Sequence, residues 1–146
     1  MAVAANLYET DFYAWTIKQA DLIKHHSLAN LDLVHLQEEL QIMGATERRE
    51  LSNRLTILIM HLLKWKYQSA KQCKRWELII KEQRLEVADH LRINPSLKSK
   101  ADEYIAAAYK KATLKAAIET KLSEKSFPTK CLWSIKQILD KNFYPA

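Results

Sequence analysis

The segment His61–Trp76, "HLLKWKYQSAKQCKRW", contains the side-chain types that bind nucleic acid. It holds two tryptophans, one tyrosine and five lysine or arginine residues in sixteen positions. Cations pair with phosphates, and aromatic rings stack on bases. The basic stretch 64–84 is therefore a candidate site for nucleic acid or another anion, and its proposed contacts are Lys66, Lys71, Lys74, Arg75 and Lys81. Further cations of the same stretch are Lys64 and Arg84.

The same segment has a structural interpretation, which we favour. Trp65 continues the helical spacing of Leu58 and Leu62, and Trp76 has the same relation to Ile80. Residues that recur every three or four positions share one face of a helix. Both indoles are therefore predicted to point into the core. The lysines would then lie in water at the turn between two helices. Their positive charge would stabilise the carboxy-terminal end of the first helix, where the helix dipole is negative.

His61 lies among apolar neighbours inside the most hydrophobic helical segment of the chain. A buried histidine of this kind can be a catalytic base or a metal ligand. More often it is a core residue whose ring nitrogen bonds to a backbone or hydroxyl group, and we favour that interpretation. His61 is the residue to watch in the structure.

Two further groups have the residue types of a metal centre. Glu82, Glu86 and His90 share one face of a predicted helix, and His35 pairs with Glu38. Carboxylate-bridged centres in helical bundles use a Glu-x-x-His order on two helices. Here the spacing from Glu86 to His90 is one residue longer than in that motif, and the order of His35 and Glu38 is reversed. We interpret both groups as exposed charges, and the sequence predicts no metal and no cofactor.

The two cysteines, Cys73 and Cys131, are too few for a zinc site and have no CxxC spacing. Cys73 is the more reactive candidate, because Lys71, Lys74 and Arg75 lie near it and cations lower the pKa of a thiol. No catalytic signature accompanies it, so the sequence predicts a protein that is not an enzyme.

The chain contains a single glycine, Gly44, where average usage of about 7% would give roughly ten. Hairpin turns need residues with positive φ, which glycine supplies most easily. A sheet protein is therefore hard to build from this sequence. Phosphate-binding loops are rich in glycine, so nucleotide binding through such a loop is excluded.

Charge and hydropathy indicate where the protein resides. The formal net charge is +6, and the stretch 64–84 alone has seven basic and two acidic residues. The opening "MAVAANLYETDFY" lacks the features of a secretory signal. The longest apolar segment, Leu55–Leu63, is too short to cross a bilayer. We expect a soluble protein in the reducing cytoplasm, without a membrane partner.

Helical periodicity and the candidate N-cap residues Thr10, Asp32, Thr46 and Ser134 predict one all-α domain over residues 1–146. It is a bundle of about five long helices around a central, largely apolar one, with a short carboxy-terminal helix. One of the long helices has its apolar stripe from Leu33 to Met43 and ends at Gly44, in the left-handed conformation. The other predicted helices are Asp11–Lys24, Glu47–Tyr67, Lys74–Ile93, Leu97–Lys121 and Ile135–Asp140.

Several segments resemble domain-of-unknown-function family 29, an uncharacterised family found mainly in cyanobacteria. They are "YETDFYAW" at Tyr8–Trp15, Met43-Gly44 with Glu47–Glu50, "HLLKW" at His61–Trp65, and the closing Trp133–Pro145. The resemblance covers about residues 8–145 and implies an all-helical fold, with no established activity or cofactor. Many members are acidic where this chain has lysines, so the basic balance is not a family property.

The leading hypothesis for function is a non-enzymatic helical interaction module that forms a homo-oligomer or binds a protein partner. It rests on the lack of a catalytic constellation and on apolar faces wider than one stripe. Nucleic-acid binding through the basic stretch 64–84 is the alternative. A hydrolase or nuclease that uses His61 or the Glu82–His90 face is the third hypothesis.

Overall fold

The computed structural model describes residues 7–146, which form helices and turns and contain no strand. Short 3₁₀ turns lie between some of the α-helices, at Leu28–Asn30, Ser69–Lys71 and Glu124–Ser126. The predicted all-α class is confirmed. The opening "MAVAAN", which enters the prediction about a secretory signal, lies outside the described residues. The α-helices are α1 Phe12–Lys24, α2 Leu33–Tyr67, α3 Lys74–Ile93, α4 Pro95–Lys98, α5 Ala101–Thr120 and α6 Ile135–Leu139.

Local signals set most helix ends. α3 has the predicted bounds, and it ends at Asn94 because the residue before a proline disfavours the helical conformation. Ser134 begins α6 with a capping box, in which its side chain and that of Gln137 bond to each other's backbone N–H groups. Asp11 caps α1 by accepting a hydrogen bond from the Ala14 N–H, so the predicted cap at Thr10 is off by one residue.

The predicted helix boundary at Gly44 is wrong. α2 runs without a break through this residue, which does not have a positive φ. The Thr46 hydroxyl, predicted to cap a new helix, donates to the Ile42 carbonyl one turn earlier. A glycine inside a helix costs about 1 kcal/mol relative to alanine, and the strong helix formers on both sides outweigh that cost. Two predicted helices are therefore one of 35 residues.

The predicted helix Leu97–Lys121 is divided. α4 is one short turn that begins at Pro95, and α5 starts at Ala101. Proline at the first position of a helix loses no hydrogen bond, which explains the start of α4. Lys121 ends α5 in the left-handed conformation, with φ 62°, a place usually taken by glycine.

The chain divides into two compact units. The amino-terminal unit is residues 1–46 and the carboxy-terminal unit is residues 47–146. The amino-terminal unit holds six acidic and two basic side chains, a formal net charge of −4, and the carboxy-terminal unit holds 21 basic and 11 acidic, +10. The prediction of a single domain stays a prediction.

The carboxy-terminal unit has a conventional apolar core. Residues 47–67 of α2 supply its centre, where leucines and isoleucines at successive positions are fully buried. α3, α5 and α6 cover this segment from several sides, as expected for a helix that is apolar nearly all round. Small residues of α5 allow the helices to approach closely, and these are Ala108, Ala112 and Ala116.

Candidate functional site

The amino-terminal unit contains an apolar groove of about 400 Å³ between α1 and the first part of α2. Trp15 and Gln19, each 2% exposed, are its most buried lining residues. The walls carry large apolar side chains that remain in water, including Phe12 at 47% exposed, Leu40 at 65% and Met43 at 62%. Such a groove has the form that accepts the apolar face of a helix.

A polar network anchored on Asp32 holds this groove together. The Trp15 indole donates to Asp32 Oδ2 at 3.0 Å, and the Asp32 backbone N–H donates to Gln19 Oε1 at 2.9 Å. Asp32 Oδ1 also accepts from the His35 backbone N–H, as predicted for the cap of α2. Burial disfavours the charged carboxylate, but the hydrogen bonds from His35 and Trp15 outweigh burial and lower the pKa of Asp32.

His35 and Tyr8 extend the network along the same side of the unit. His35 Nδ1 lies 2.6 Å from Asp32 Oδ2, and its ring stacks on Tyr8 with centroids 3.9 Å apart. The Tyr8 hydroxyl donates to Glu39 Oε1 at 2.5 Å, and this hydrogen bond raises the pKa of Tyr8 to about 12. These contacts fix α1 against α2 through polar groups, and the apolar side chains of the groove remain available.

One buried donor in the groove has no acceptor. Gln19 Nε2 is enclosed, and it makes no hydrogen bond within residues 7–146. A buried amide N–H without a partner costs free energy, typically about 1–3 kcal/mol. A group of this kind is uncommon in a folded protein and calls for an explanation, such as a ligand or partner that supplies the missing oxygen.

The cations of the basic stretch differ in their ion pairing. Lys71 and Arg75 are exposed, whereas Lys74 and Lys81 both pair with Glu77, at 3.7 and 3.1 Å. The two cations, with the hydrogen bond from Lys81 as the main cause, lower the pKa of Glu77. The predicted anion contacts of this stretch are thus partly neutralised within the carboxy-terminal unit.

The aromatic side chains of the stretch contact other side chains of the protein. Trp65 is half-buried and lies 4.9 Å from the Tyr144 ring, measured between centroids. Trp76 is also half-buried, with the Lys64 ammonium 4.6 Å from its ring centroid. The half-buried Lys66 lies 5.5 Å from the Tyr67 ring centroid. Trp65 packs against the apolar core, as predicted, whereas Trp76 is covered by Lys64 and is not part of that core.

Two cations that were candidates for phosphate contact are buried instead. Lys64 donates to Glu119 Oε2 at 2.7 Å, and this hydrogen bond lowers the pKa of Glu119. Arg84 is 5% exposed, and its Nε donates to the Ile138 carbonyl at 2.8 Å. Their partners lie 55 and 54 residues further along the chain, so local spacing gave no sign of either contact.

His61 is a core residue with a backbone partner. It is 6% exposed, and its Nδ1 lies 2.8 Å from the Ile57 carbonyl, so Nδ1–H donates. Burial lowers the pKa of His61 and keeps the ring neutral, although the hydrogen bond to Ile57 opposes that shift. The arrangement matches the interpretation favoured from the sequence.

The two acidic and histidine groups do not form a metal centre. Glu82 and Glu86 are exposed, as predicted, but His90 is half-buried with Nε2 2.8 Å from the Glu47 carbonyl. His35 is half-buried against Asp32, so the prediction of exposed charge is wrong for both histidines. Within residues 7–146, no group of three or more histidine, cysteine, aspartate or glutamate side chains is placed to hold a metal ion.

The two cysteines differ in exposure. Cys73 is exposed at the residue that precedes α3, and Cys131 is half-buried. Burial raises the pKa of the Cys131 thiol, which makes its thiolate scarce at neutral pH. The prediction that Cys73 is the more reactive thiol stays a prediction, and its exposure makes it the more accessible of the two.

The groove was not predicted from the sequence, although its signal was present. The stripe from Leu33 to Met43 and the aromatic stripe of α1 were both recognised as apolar faces. A stripe at helical spacing usually packs inside, so neither stripe by itself indicates an open groove. The missing clue was the lack of enough large side chains in residues 7–46 to cover both stripes.

The family model described as "Domain of unknown function DUF29" matches residues 7–144. The chain belongs to this family, which confirms the resemblance noted from the sequence. No curated protein and no solved structure matches the chain. Among the described residues, none of the helices combines the length and the apolar character that a membrane span requires.

Proposed function

We propose that this protein is a non-enzymatic helical interaction module, and that the groove of the amino-terminal unit binds the apolar face of a partner helix. The carrying observation is the exposure of the wall residues Phe12, Leu40 and Met43 around a buried tryptophan. Apolar patches of this kind on a soluble protein mark interaction sites. Both cysteines are free thiols, which fits a cytoplasmic location for the complex.

Charge indicates the chemistry of the partner. The amino-terminal unit has six acidic and two basic side chains, and Glu39 lines the groove itself. A partner helix with lysines or arginines beside its apolar stripe would be attracted to this unit, and an acidic helix would be repelled. The proposed occupant is therefore a basic amphipathic helix.

Gln19 adds a requirement for specificity. A partner side chain with an oxygen, such as serine or glutamine, would supply the acceptor that Gln19 Nε2 lacks. A partner without it would leave this donor unpaired, which lowers affinity. We expect the best partner to place one polar residue within its apolar stripe.

A pair of synthetic helical peptides tests the proposal. Both have leucines at helical spacing, and one has lysines at the remaining positions where the other has glutamates. Fluorescence anisotropy should show saturable binding of the lysine peptide alone. Leu40→Gln should weaken it about tenfold, because one apolar wall of the groove is lost.

The matched control is Leu33→Gln, which changes an equally exposed leucine of α2 that does not line the groove. It should alter the affinity by roughly twofold or less. Equal losses in the two variants, or equal binding of the two peptides, would contradict the proposed site. Light scattering after size-exclusion chromatography reports whether a second copy of the chain is the partner, and a strict monomer that binds neither peptide would end the proposal.

Binding of nucleic acid by the carboxy-terminal unit is the second candidate function. It is favoured by the unit's formal charge of +10 and by the exposure of Lys71, Lys74 and Arg75. Phosphate contacts of this kind release counterions, so the affinity should fall steeply with salt.

Electrophoretic mobility shifts with tRNA and duplex DNA at low salt test this second candidate. The triple substitution Lys71→Glu, Lys74→Glu and Arg75→Glu should abolish any shift while the melting temperature changes little, because these side chains are exposed. Absence of a shift at low salt would rule out the candidate.

A further inference from the structure

We propose that the carboxy-terminal unit has a binding site for a small organic carboxylate, in which Arg84 contacts the head group and apolar side chains hold the body of the ligand. The site is a cavity of about 680 Å³, within the size range of small-molecule sites. α3 contributes Lys81, Arg84 and Leu85, and the segment after residue 138 contributes Leu139, Lys141 and Tyr144.

Arg84 is a buried cation with an unused donor. Its Nε donates to the Ile138 carbonyl and its Nη2 to the Phe143 carbonyl, but Nη1 is enclosed without a partner. No carboxylate of residues 7–146 lies within ion-pair distance of the guanidinium. The two carbonyls hold the side chain in place without neutralising its charge.

The protein only partly compensates for this buried charge. The Tyr144 ring lies 5.2 Å from the Arg84 guanidinium carbon, and Tyr144 and, less strongly, Asp140 favour the charged form. Burial is nevertheless the largest influence, and it lowers the pKa of Arg84. Buried charges in proteins are usually paired, so an unpaired one beside a cavity indicates that an anion completes the site.

The Tyr144 hydroxyl is a second enclosed polar group that lacks a hydrogen bond of normal geometry, although it lies close enough to Arg84 to favour the charged guanidinium. A carboxylate has two oxygens, so it can accept from the guanidinium and from this hydroxyl at the same time. Lys141 also lines the cavity, and so do Lys81 and Glu77, whose charges pair with each other at 3.1 Å. Because Nη1 is enclosed, a neighbouring side chain must move aside when the ligand binds.

The walls select a ligand that has an apolar body. Leu85, Ala88 and Leu139 line the cavity together with the cations, and Leu85 is an exposed large apolar side chain of α3. A planar carboxylate suits the fork geometry of arginine, and the leucines exclude water from an alkyl or aromatic body. Inorganic phosphate would satisfy the charge but make no use of these walls.

Titration of the full chain with octanoate, followed by ¹⁵N–¹H NMR, tests the site. We expect saturable shifts in the backbone amides of Leu85, Leu139 and Asn142 and in the Arg84 Nε–H signal. Octylamine, which has the same alkyl chain and the opposite charge, should cause none of these shifts. Inorganic phosphate should cause weaker shifts than octanoate at equal concentration.

Lys141→Glu should weaken octanoate binding about tenfold, since it reverses an exposed charge at the cavity without removing a core contact. Lys136→Glu is the matched control, because it makes the same charge change at an exposed residue that does not line the cavity, and it should alter binding by roughly twofold or less. Arg84→Gln should abolish binding, with the NMR spectrum reporting whether the variant is folded.

Three outcomes would overturn the proposal. The first is shifts confined to the groove of the amino-terminal unit, and the second is equal shifts with octanoate and octylamine. The third is equal loss of binding in Lys141→Glu and Lys136→Glu. Equal shifts with phosphate and octanoate would indicate that the site binds anions without using its apolar walls. That result would overturn the proposal of an organic carboxylate ligand.

Discussion

The two units use their apolar residues in opposite ways. In the carboxy-terminal unit, eighteen apolar residues are buried, and six large ones are exposed. Among the described residues of the amino-terminal unit, Trp15 alone is a buried apolar residue, and ten large ones are exposed. The first pattern is that of an apolar core, and the second is that of an exposed apolar surface, on which the proposed function rests.

The difference extends to the polar groups. In the carboxy-terminal unit, the buried polar side chains Lys64 and His61 each make one hydrogen bond and accompany a large apolar core. In the amino-terminal unit, the hydrogen bonds around Asp32 hold the helices together in place of a large apolar core. Hydrogen bonds specify geometry but contribute only about 0.5–1.5 kcal/mol each to net stability. The amino-terminal unit is therefore well defined in shape, while most of its large apolar side chains remain exposed.

A pair of leucine truncations in α2 tests the contrast most strongly. Leu58 is fully buried, and Leu58→Ala should lower the free energy of unfolding by about 2–5 kcal/mol, because it leaves a cavity in the core. Leu40→Ala should change it by about 0.5 kcal/mol or less, because Leu40 already lies in water. Urea unfolding followed by circular dichroism gives both values, and similar losses at the two positions would refute the contrast.

Acid should destabilise the carboxy-terminal unit through His61. The unfolded pKa of histidine is about 6.5, and burial lowers the pKa of His61 in the folded chain. As the pH falls below about 6.5, the unfolded state therefore takes up a proton first, and the free energy of unfolding decreases. His61→Gln, which keeps an N–H donor and does not titrate there, should flatten this decrease between pH 7 and pH 5.

Urea midpoints measured across this pH range give the comparison. His25→Gln is the control, since His25 is an exposed histidine of the amino-terminal unit. An unchanged pH dependence in His61→Gln would show that the ring is not held neutral by burial.

The smallest effect is expected at Gly44. A Cβ at this position would meet no atom within 4 Å, and the residue lies inside α2 without a positive φ. Gly44→Ala should therefore raise the free energy of unfolding by about 0.5–1 kcal/mol, because alanine loses less backbone entropy in a helix. A helix that ended here in the left-handed conformation would be destabilised by the same change, so the sign of the effect distinguishes the two structures.

The sequence was most informative where signals were local. The bounds of α3 and the cap of α6 were predicted from periodicity, a proline and a serine. The error at Gly44 has a local cause too, because a glycine after an apolar stripe is a common helix end. The structure shows that the residues around a glycine decide whether it ends a helix, and here they continue it.

The sites depended on contacts that are distant in the sequence, so they could not be predicted. In the sequence, Arg84 is one of seven cations in a basic stretch. Only its hydrogen bonds to the Ile138 and Phe143 carbonyls distinguish it from the other six. The groove is formed by two apolar stripes, and the sequence does not distinguish them from core faces. The exposures of Leu40 and Met43 in the structure make that distinction. Periodicity shows which residues share a face, but it does not show what covers that face.

The long-range contacts of Arg84 have a consequence for synthesis on the ribosome. The carboxy-terminal unit cannot satisfy this side chain until residues 138–143 have left the exit tunnel. At about 5–20 residues per second, the hundred residues of this unit take about 5–20 s to translate. During that interval the apolar side chains of the nascent amino-terminal segment are accessible to a chaperone, or to the proposed partner helix, before the remainder of the molecule has folded.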